Sequence, residues 1–319
     1  MERATALSDS AAAEVFERNR PRLLAMAYRM LGSVAEAEDV VQEAFLRYHR
    51  AAGGSDKEAV GSPRAYLVTV TTRLAIDQLR SARSRREHYV GQWLPEPVLT
   101  GDSQVERYAE LNESLSMAFL ILLERLSPVE RAVFVLREVF EYGHQEIAAM
   151  VGKSEANVRQ IAARARRHIE DGRRRFEIAP AAHAELAGRF FAALQAGNVD
   201  GLMAVLAPDV TMIGDGGGRA PALAEPATGR QRVARFLLGL ARLSARLGLG
   251  ARLEQVNGEP GVVIVDPAGR VAAVMALEIA QGSVRAIRSV VNPDKLRHLG
   301  PVVNLGELMS SVGDRPGAG

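Results

Sequence analysis

The chain is 319 residues long and 47% hydrophobic, enough for two or three ordinary domains, each with its own core. It has no cysteine, which excludes disulfides, thiol catalysis and cysteine-ligated zinc; six scattered histidines do not replace them, so neither a metal nor a cofactor is expected. The formal charge of +2 hides two arginine clusters, no apolar run reaches the roughly 18 residues of a membrane span, and Met1 to Ser10 is too polar for a signal peptide. A cytoplasmic protein with no membrane contact is expected.

In chain order, a first helical block runs from about Ala11 to Arg50. Ser33-Val-Ala-Glu36 is a capping box, and Val34, Ala37, Val41, Ala44, Phe45 and Tyr48 follow at helical spacing. The opposite side of that helix carries an acidic stripe of Glu36, Asp39, Gln42 and Glu43. Residues 51–63 hold glycine, serine and proline and read as a loop. Pro63 then opens a helix whose apolar face is Tyr66, Leu67, Val70, Leu74, Ala75 and Leu79, with Arg73 and Arg80 ahead of a cluster at Arg83, Arg85 and Arg86. Between Val90 and Gly101 the order Trp93-Leu-Pro-Glu-Pro97 predicts an extended linker, since two prolines one residue apart preclude a helix. Helices resume near Val105.

Ser127-Pro-Val-Glu130 is a second capping box with proline at the first helical position, leading a face of Val129, Ala132, Val133, Leu136 and Val139. His144 to Ile161 reads as a helix-turn-helix. Ile147 and Val151 face the core, Ala148 is small at a helix crossing, Gly152 makes the turn, Ser154 caps the second helix, and Val158 and Ile161 pin it back. The second cluster, Arg159, Arg164, Arg166, Arg167, Arg173, Arg174 and Arg175, lies on and after that helix, and guanidinium forks suit phosphate contact. Beyond Phe176 the pattern turns α+β: a helix over Ala181 to Ala196, a stretch from Leu202 to Ile213 leading into Asp215-Gly-Gly-Gly218, and a helix from Gln231 to Leu247. Strands follow over Val262 to Asp266, Val271 to Ala280 and Val284 to Val291, with turns between them. Gly313 to Gly319 reads as a disordered tail.

Residues 10 to 170 resemble the extracytoplasmic-function group of sigma factors. Gly32 to Tyr48 looks like the polymerase-binding helix of sigma region 2, Ala65 to Arg80 like the helix that melts and reads the minus-10 element, and Leu126 to Ile169 like region 4. Tyr66 stands where that group usually has tryptophan and Arg73 where asparagine is common. Three motifs in order, Trp93-Leu-Pro-Glu-Pro97, Asp215-Gly-Gly-Gly-Arg219 and Asn292-Pro-Asp-Lys295, make the whole chain resemble the subgroup with a fused SnoaL-like domain. The resemblance implies a multidomain protein: region 2 as a bundle over 10–90, a linker over 91–112, region 4 over 113–176, an α+β SnoaL-like cone with a curved mixed sheet over 180–300, and a tail over 301–319.

What it implies for function is a transcription initiation factor, not an enzyme, regulated in cis by its own C-terminal domain. Glu36, Asp39, Gln42 and Glu43 would meet the beta-prime clamp helices of core RNA polymerase. Promoter DNA would be contacted by Tyr66, Arg73, Arg80 and Arg83 in region 2, and by Ser154, Glu155, Arg159, Gln160, Arg164 and Arg167 in region 4. Arg159 suits guanine and Gln160 adenine, while Arg164, Arg166 and Arg167 suit phosphates. Trp93, Pro95 and Glu96 would dock near Asp215, Gly216, Gly217 and Gly218, because the chain's single tryptophan needs cover and glycines allow close approach. Asp209, Asp215, Asp266, His183 and His298 are acid or base candidates by residue type alone, and Asp215 reads better as part of a close-approach turn. The C-terminal domain is expected to hold either a small-molecule pocket or a protein-contacting surface. A ligand-responsive one-component helix-turn-helix regulator is the rival expectation; a repressor has no need of the acidic and arginine-rich first domain.

Overall fold

A computed structural model describes residues 2–53, 62–101, 116–173 and 180–313. The chain divides into two compact units, one holding residues 1–87, 105–115 and 119–172, the other residues 88–104, 116–118 and 173–319.

In the described part of the first unit, α1 (Glu2–Leu31), α2 (Val34–Gly53) and α3 (Pro63–Glu87) pack together. Gly32 turns α1 into α2 at φ 69°, and the Ser33 hydroxyl accepts the Glu36 amide at 3.2 Å. On α2 the residues Val34, Ala37, Val40, Val41, Ala44 and Tyr48 are buried, and Phe45 is half-buried. On α3 the buried face is rotated from the sequence expectation. Leu67, Ala75 and Leu79 are buried as expected, but Val68, Thr71, Thr72 and Ile76 join them, while Tyr66, Val70 and Leu74 are half-buried. Small and β-branched side chains fill the helix crossings there, which hydropathy does not register.

After α4 (Met117–Leu123), α5 (Pro128–Phe134) starts on a complete capping box: the Ser127 hydroxyl accepts the Glu130 amide and the Glu130 carboxylate accepts the Ser127 amide. It runs into a π turn, Val135–Val139; Arg131 to Leu136 are buried in succession, whereas Val129 and Val139 are only half-buried. The helix-turn-helix comprises α6 (His144–Val151) and α7 (Glu155–Arg173). Gly152 makes the turn at φ 66°, and the Ser154 hydroxyl accepts the Asn157 amide at 3.3 Å. Met150 takes the core place expected for Val151, which is half-buried, while Ile147, Val158, Ile161, Ala165 and Ile169 are buried.

The second unit is built on a six-stranded mixed sheet of order β2-β1-β6-β5-β4-β3. Its strands are β1 (Leu206–Asp215), β2 (Ala227–Thr228), β3 (Gly250–Val256), β4 (Glu259–Val265), β5 (Val271–Ala280) and β6 (Ser283–Val290). β1 and β6 run parallel; every other pair is antiparallel. α8 (Pro180–Gln195), α9 (Val199–Val205) and α10 (Arg230–Arg246) cover one face, where Phe190, Leu202, Val233 and Leu237 meet Leu277, Val284 and Ile287. Asn257 and Gly258, at φ 53° and 74°, turn β3 into β4.

Elements not expected from sequence include α9, β2, β3 and α11. β3 is exposed at most positions, so no alternation marks it. Within residues 301–319, read as tail, α11 (Leu305–Gly313) forms, because Leu305, Leu308 and Met309 give it an apolar side; residues 314–319 lie outside the described part. The helix expected near Val105, the linker beyond residue 101 and the loop over 54–61 also lie outside the described residues, as do Arg174 and Arg175.

Candidate nucleic-acid interface and linker dock

In the first unit, Asp39 and Gln42 stand exposed on α2 and Glu36 and Glu43 are half-buried, with Glu43 paired to Arg47 at 2.8 Å. Tyr66 is half-buried with its ring 6.1 Å from that of Tyr48. Arg80 pairs with Asp77 at 2.9 Å, and the Arg83 side chain lies outside those described. Arg73 is engaged within the unit. It donates to the carbonyls of Met150 at 2.9 Å and Ala149 at 3.1 Å, placing a cation where the carbonyl end of α6 is negative. Three more arginines join α1 to the second half of the unit. Arg22 lies 5.0 Å from the Phe140 ring, Arg29 lies 5.5 Å from the same ring, and the buried Arg131 binds the Met30 carbonyl and Glu124, each at 2.7 Å.

On α7, burial of Val158, Ile161 and Ala165 turns Ala156, Arg159, Gln160, Ala163, Arg164 and Arg167 outward, with Glu155 half-buried. Arg159 is held by Glu155 at 2.5 Å, and Arg167 reaches its own Ala163 carbonyl at 3.4 Å. Arg164 binds Glu130 at 2.6 Å. Burial works to raise the Glu130 carboxyl, but the Ser127 hydroxyl and amide and the Arg164 cation outweigh it and hold it below its ordinary value. A cleft of about 680 Å³ beside this helix is lined by Arg137, Glu138, Glu141, His144, Arg159 and Arg166. Arg137 and His144 escaped the sequence reading because each stands alone in its local stretch, outside any cluster.

In the second unit the linker and the C-terminal motifs meet. Leu94 through Leu99 are buried in succession, while Trp93 is half-buried. The Asp215 carboxylate, wholly buried at the end of β1, accepts from the Leu94 amide at 2.7 Å, the Tyr89 hydroxyl at 2.6 Å and the Lys295 ammonium at 2.7 Å. Lys295 also donates to the Leu94 carbonyl and sits 4.3 Å from the Trp93 ring centroid and 4.9 Å from that of Tyr89. Burial, together with the hydrogen bond to Asp215 and its charge, pushes the Tyr89 phenol above its ordinary value, so it keeps the proton that it donates. Asp215 is therefore more than part of a close-approach turn: it is the charged centre of the dock.

The glycines are needed as well. A Cβ at Gly216 would stand 2.1 Å from the Ala220 carbonyl oxygen, and one at Gly217, where φ is 55°, 2.2 Å from the Asn292 amide nitrogen. Gly218, at φ 69°, is less crowded: a Cβ there would stand 3.3 Å from the Val90 Cβ. Further along, the Val98 amide donates to the Asn257 side chain, Thr100 pairs with Gln255, and Leu99 bridges to Val256, so the linker extends the β3 edge. His298 contacts the Pro97 carbonyl at 2.7 Å and lies 3.9 Å from Glu96, and Pro95 is buried between these anchors. Tyr89 and Lys295 were not singled out from sequence, although Lys295 ends one of the three motifs, and His298, named there only as an acid or base candidate, serves here as a linker contact.

The remaining acid and base candidates do not converge. Asp209 pairs with Arg285 near the surface, Asp266 is tied to Arg270 in a turn, and burial lowers the His183 imidazole below its ordinary value on α8. Among the described residues no cluster of side chains could hold a metal ion, and no helix is long and apolar enough to cross a membrane.

Two family models match: Sigma-70 region 2 over residues 15–85 and Sigma-70, region 4 over residues 116–169. The chain is 41% identical over 290 residues to the ECF RNA polymerase sigma factor SigJ of Mycobacterium tuberculosis, covering 88% of this chain and 91% of that protein. It is 34% identical over 281 residues to the probable ECF RNA polymerase sigma factor SigI of the same species, covering 87% and 92%. The crystal structure of the Mycobacterium tuberculosis SigJ superposes with a TM-score of 0.71 at 36% identity, covering 89% of this chain and 98% of that one. The region 2 match disfavours a one-component helix-turn-helix regulator, and the likeness to these relatives extends through the linker into the α+β unit. The chain belongs to the extracytoplasmic-function RNA polymerase sigma factors, which are transcription initiation factors and not enzymes.

Proposed function

We propose that this sigma factor, working in the cytoplasm, engages core polymerase through the acidic side of α2, with Glu36, Asp39, Gln42 and Glu43 meeting the beta-prime clamp helices. In this reading α3 reads the minus-10 element through Tyr66, Arg73, Arg80 and Arg83. α7 enters the major groove of the minus-35 element, where Arg159 and Gln160 read bases, Ser154 and Glu155 stand at the entering end, and Arg164 and Arg167 grip phosphates. The exposed side of α7, which carries Arg159, Gln160, Arg164 and Arg167, supports this assignment. Arg73 and Arg164 hold intramolecular partners, so DNA must exchange those contacts for its own.

The C-terminal unit acts in cis. The observation that carries this is the buried Asp215–Lys295 pair, which clasps Leu94 of the segment tethering region 2 to region 4. The unit also encloses an apolar pocket that takes a small ligand without turning it over; no aspartate, glutamate or histidine is among the described lining residues. The test is transcription from a genomic promoter library by core polymerase plus the intact protein. A defined set of start sites that vanishes with Asp39→Lys, and whose output changes with Asp215→Asn, is expected. Absence of any start site with folded protein refutes the polymerase reading, and output indifferent to Asp215→Asn refutes regulation in cis.

A further inference from the structure

The pocket of the second unit has a volume of about 660 Å³, within the range of small-molecule sites, and strand register writes its floor. One cross-strand row runs Leu253–Val262–Met275–Ser289, one residue from each of β3, β4, β5 and β6, and a second runs Ala251–Ile264–Ala273. All seven line the pocket. Because successive side chains alternate, the charged Glu278 and Arg288 fall on the other face of the sheet, where they pair with each other. The wall is α10 with its C-cap residue: Phe236, Leu240, Leu243 and, at the cap, Leu247 stand at helical spacing.

Two features show a built site. Ser289 is 7% exposed and is the one polar side chain in the two floor rows, which gives an occupant a single hydroxyl to meet in an otherwise apolar floor. At the mouth, Leu305 and Met309, one helical turn apart on α11, line the pocket, and Gly306 seats that helix against Pro221 and the Arg219 carbonyl. Leu253 and Met309, two of the few large apolar side chains left exposed among the described residues, both stand at this rim. Among the described lining residues the one formal charge is Arg242, which is exposed.

We propose that this pocket binds a neutral, lipophilic small molecule carrying one hydrogen-bonding group that meets Ser289, and that α11 is its lid. The proposal rests on the reading that the pocket takes a ligand, and commits it to a chemical class and a closing element. An ionised ligand would leave its hydration for a floor with nothing to compensate it. A peptide segment would bring backbone amides and carbonyls that the apolar rows could not satisfy.

The test titrates the full-length protein with Nile red, a neutral lipophilic dye with a carbonyl acceptor, followed by dye fluorescence. One-to-one binding is expected, at least tenfold tighter than binding of the anionic dye anilinonaphthalene sulfonate. Ala273→Phe, which fills the floor, and Leu253→Glu, which charges the rim at a site already 58% exposed and so should fold normally, should each weaken binding more than tenfold. Ser289→Ala should weaken it about two- to tenfold, the value of one hydrogen bond. Leu305→Ala with Met309→Ala should speed dye release severalfold. No saturable binding, binding unchanged in both Ala273→Phe and Leu253→Glu with their folding verified, or equal affinity for the anionic dye overturns the ligand class. Release indifferent to the double α11 variant overturns the lid. Transcription by core polymerase needs no dye, so failure here is distinguishable from failure of the sigma reading.

Discussion

Replacing Lys295 by alanine should undo the linker dock. Asp215 is 0% exposed, and in the variant its carboxylate would keep the Tyr89 hydroxyl and the Leu94 amide but lose the Lys295 cation, its one cationic partner among the described residues. Removing one partner of a buried ion pair costs about 3–5 kcal/mol, because the other charge stays buried and uncompensated. The lost bond to the Leu94 carbonyl and the lost cation over Trp93 belong to the same network and do not simply add to that figure. The assay is urea unfolding followed by tryptophan emission, which reads the dock because Trp93 is the chain's one tryptophan. Lys295→Ala should lower the free energy of that transition by about 3–5 kcal/mol and shift emission to the red as Trp93 becomes exposed. Asp215→Asn combined with Lys295→Met, which removes both charges at similar volume, should cost clearly less than Lys295→Ala alone. A loss under about 1 kcal/mol for Lys295→Ala with unchanged emission would refute the argument, since a solvated pair is worth no more than that.

Arg159→Ala and Gln160→Ala should each cost about 1–3 kcal/mol on the cognate minus-35 sequence and relax specificity there, measured by competitive binding of the polymerase holoenzyme; equal weakening on every DNA would make them phosphate contacts. Arg73→Ala removes two hydrogen bonds from an exposed cation to the end of α6, so amide exchange in that turn should quicken about fivefold, equivalent to about 1 kcal/mol, and unchanged exchange would show that the contact contributes nothing. Glu259 carries a pH dependence. Burial first, then the neighbouring Glu278, pushes its carboxyl up to about 8 against the opposing pull of Arg288 and the Met117 amide. A carboxyl held above its ordinary value binds its proton more tightly in the folded state, so stability is lost as pH rises from the ordinary carboxylate range through about 8. Glu259→Gln should flatten that decline, gaining on the parent between about pH 5 and pH 9 in thermal unfolding; parallel curves would contradict it.

Much of the first unit, and the linker that follows it, is legible in the sequence because the signals there are local. Ser33, Ser127 and Ser154 cap helices through bonds spanning three residues, Gly152 takes the left-handed turn where a side chain would strain it, and Pro95 and Pro97 keep the linker extended. Such chemistry needs no knowledge of the rest of the chain. The inner face of α3 was only partly legible, since Thr71 and Thr72 are buried by small-residue packing rather than by hydropathy. What tertiary structure alone decided are the long-range meetings. Asp215 reads locally as a turn residue, and its charge acquires a purpose only when Lys295, 80 residues on, and Leu94, 121 residues back, arrive on it. The pocket floor is likewise a product of register: a slip of one residue in β5 would present Val274 and Ala276 in place of Ala273 and Met275. The periodicity of a single strand shows that it has two faces, and the neighbouring strands decide which residues meet on each.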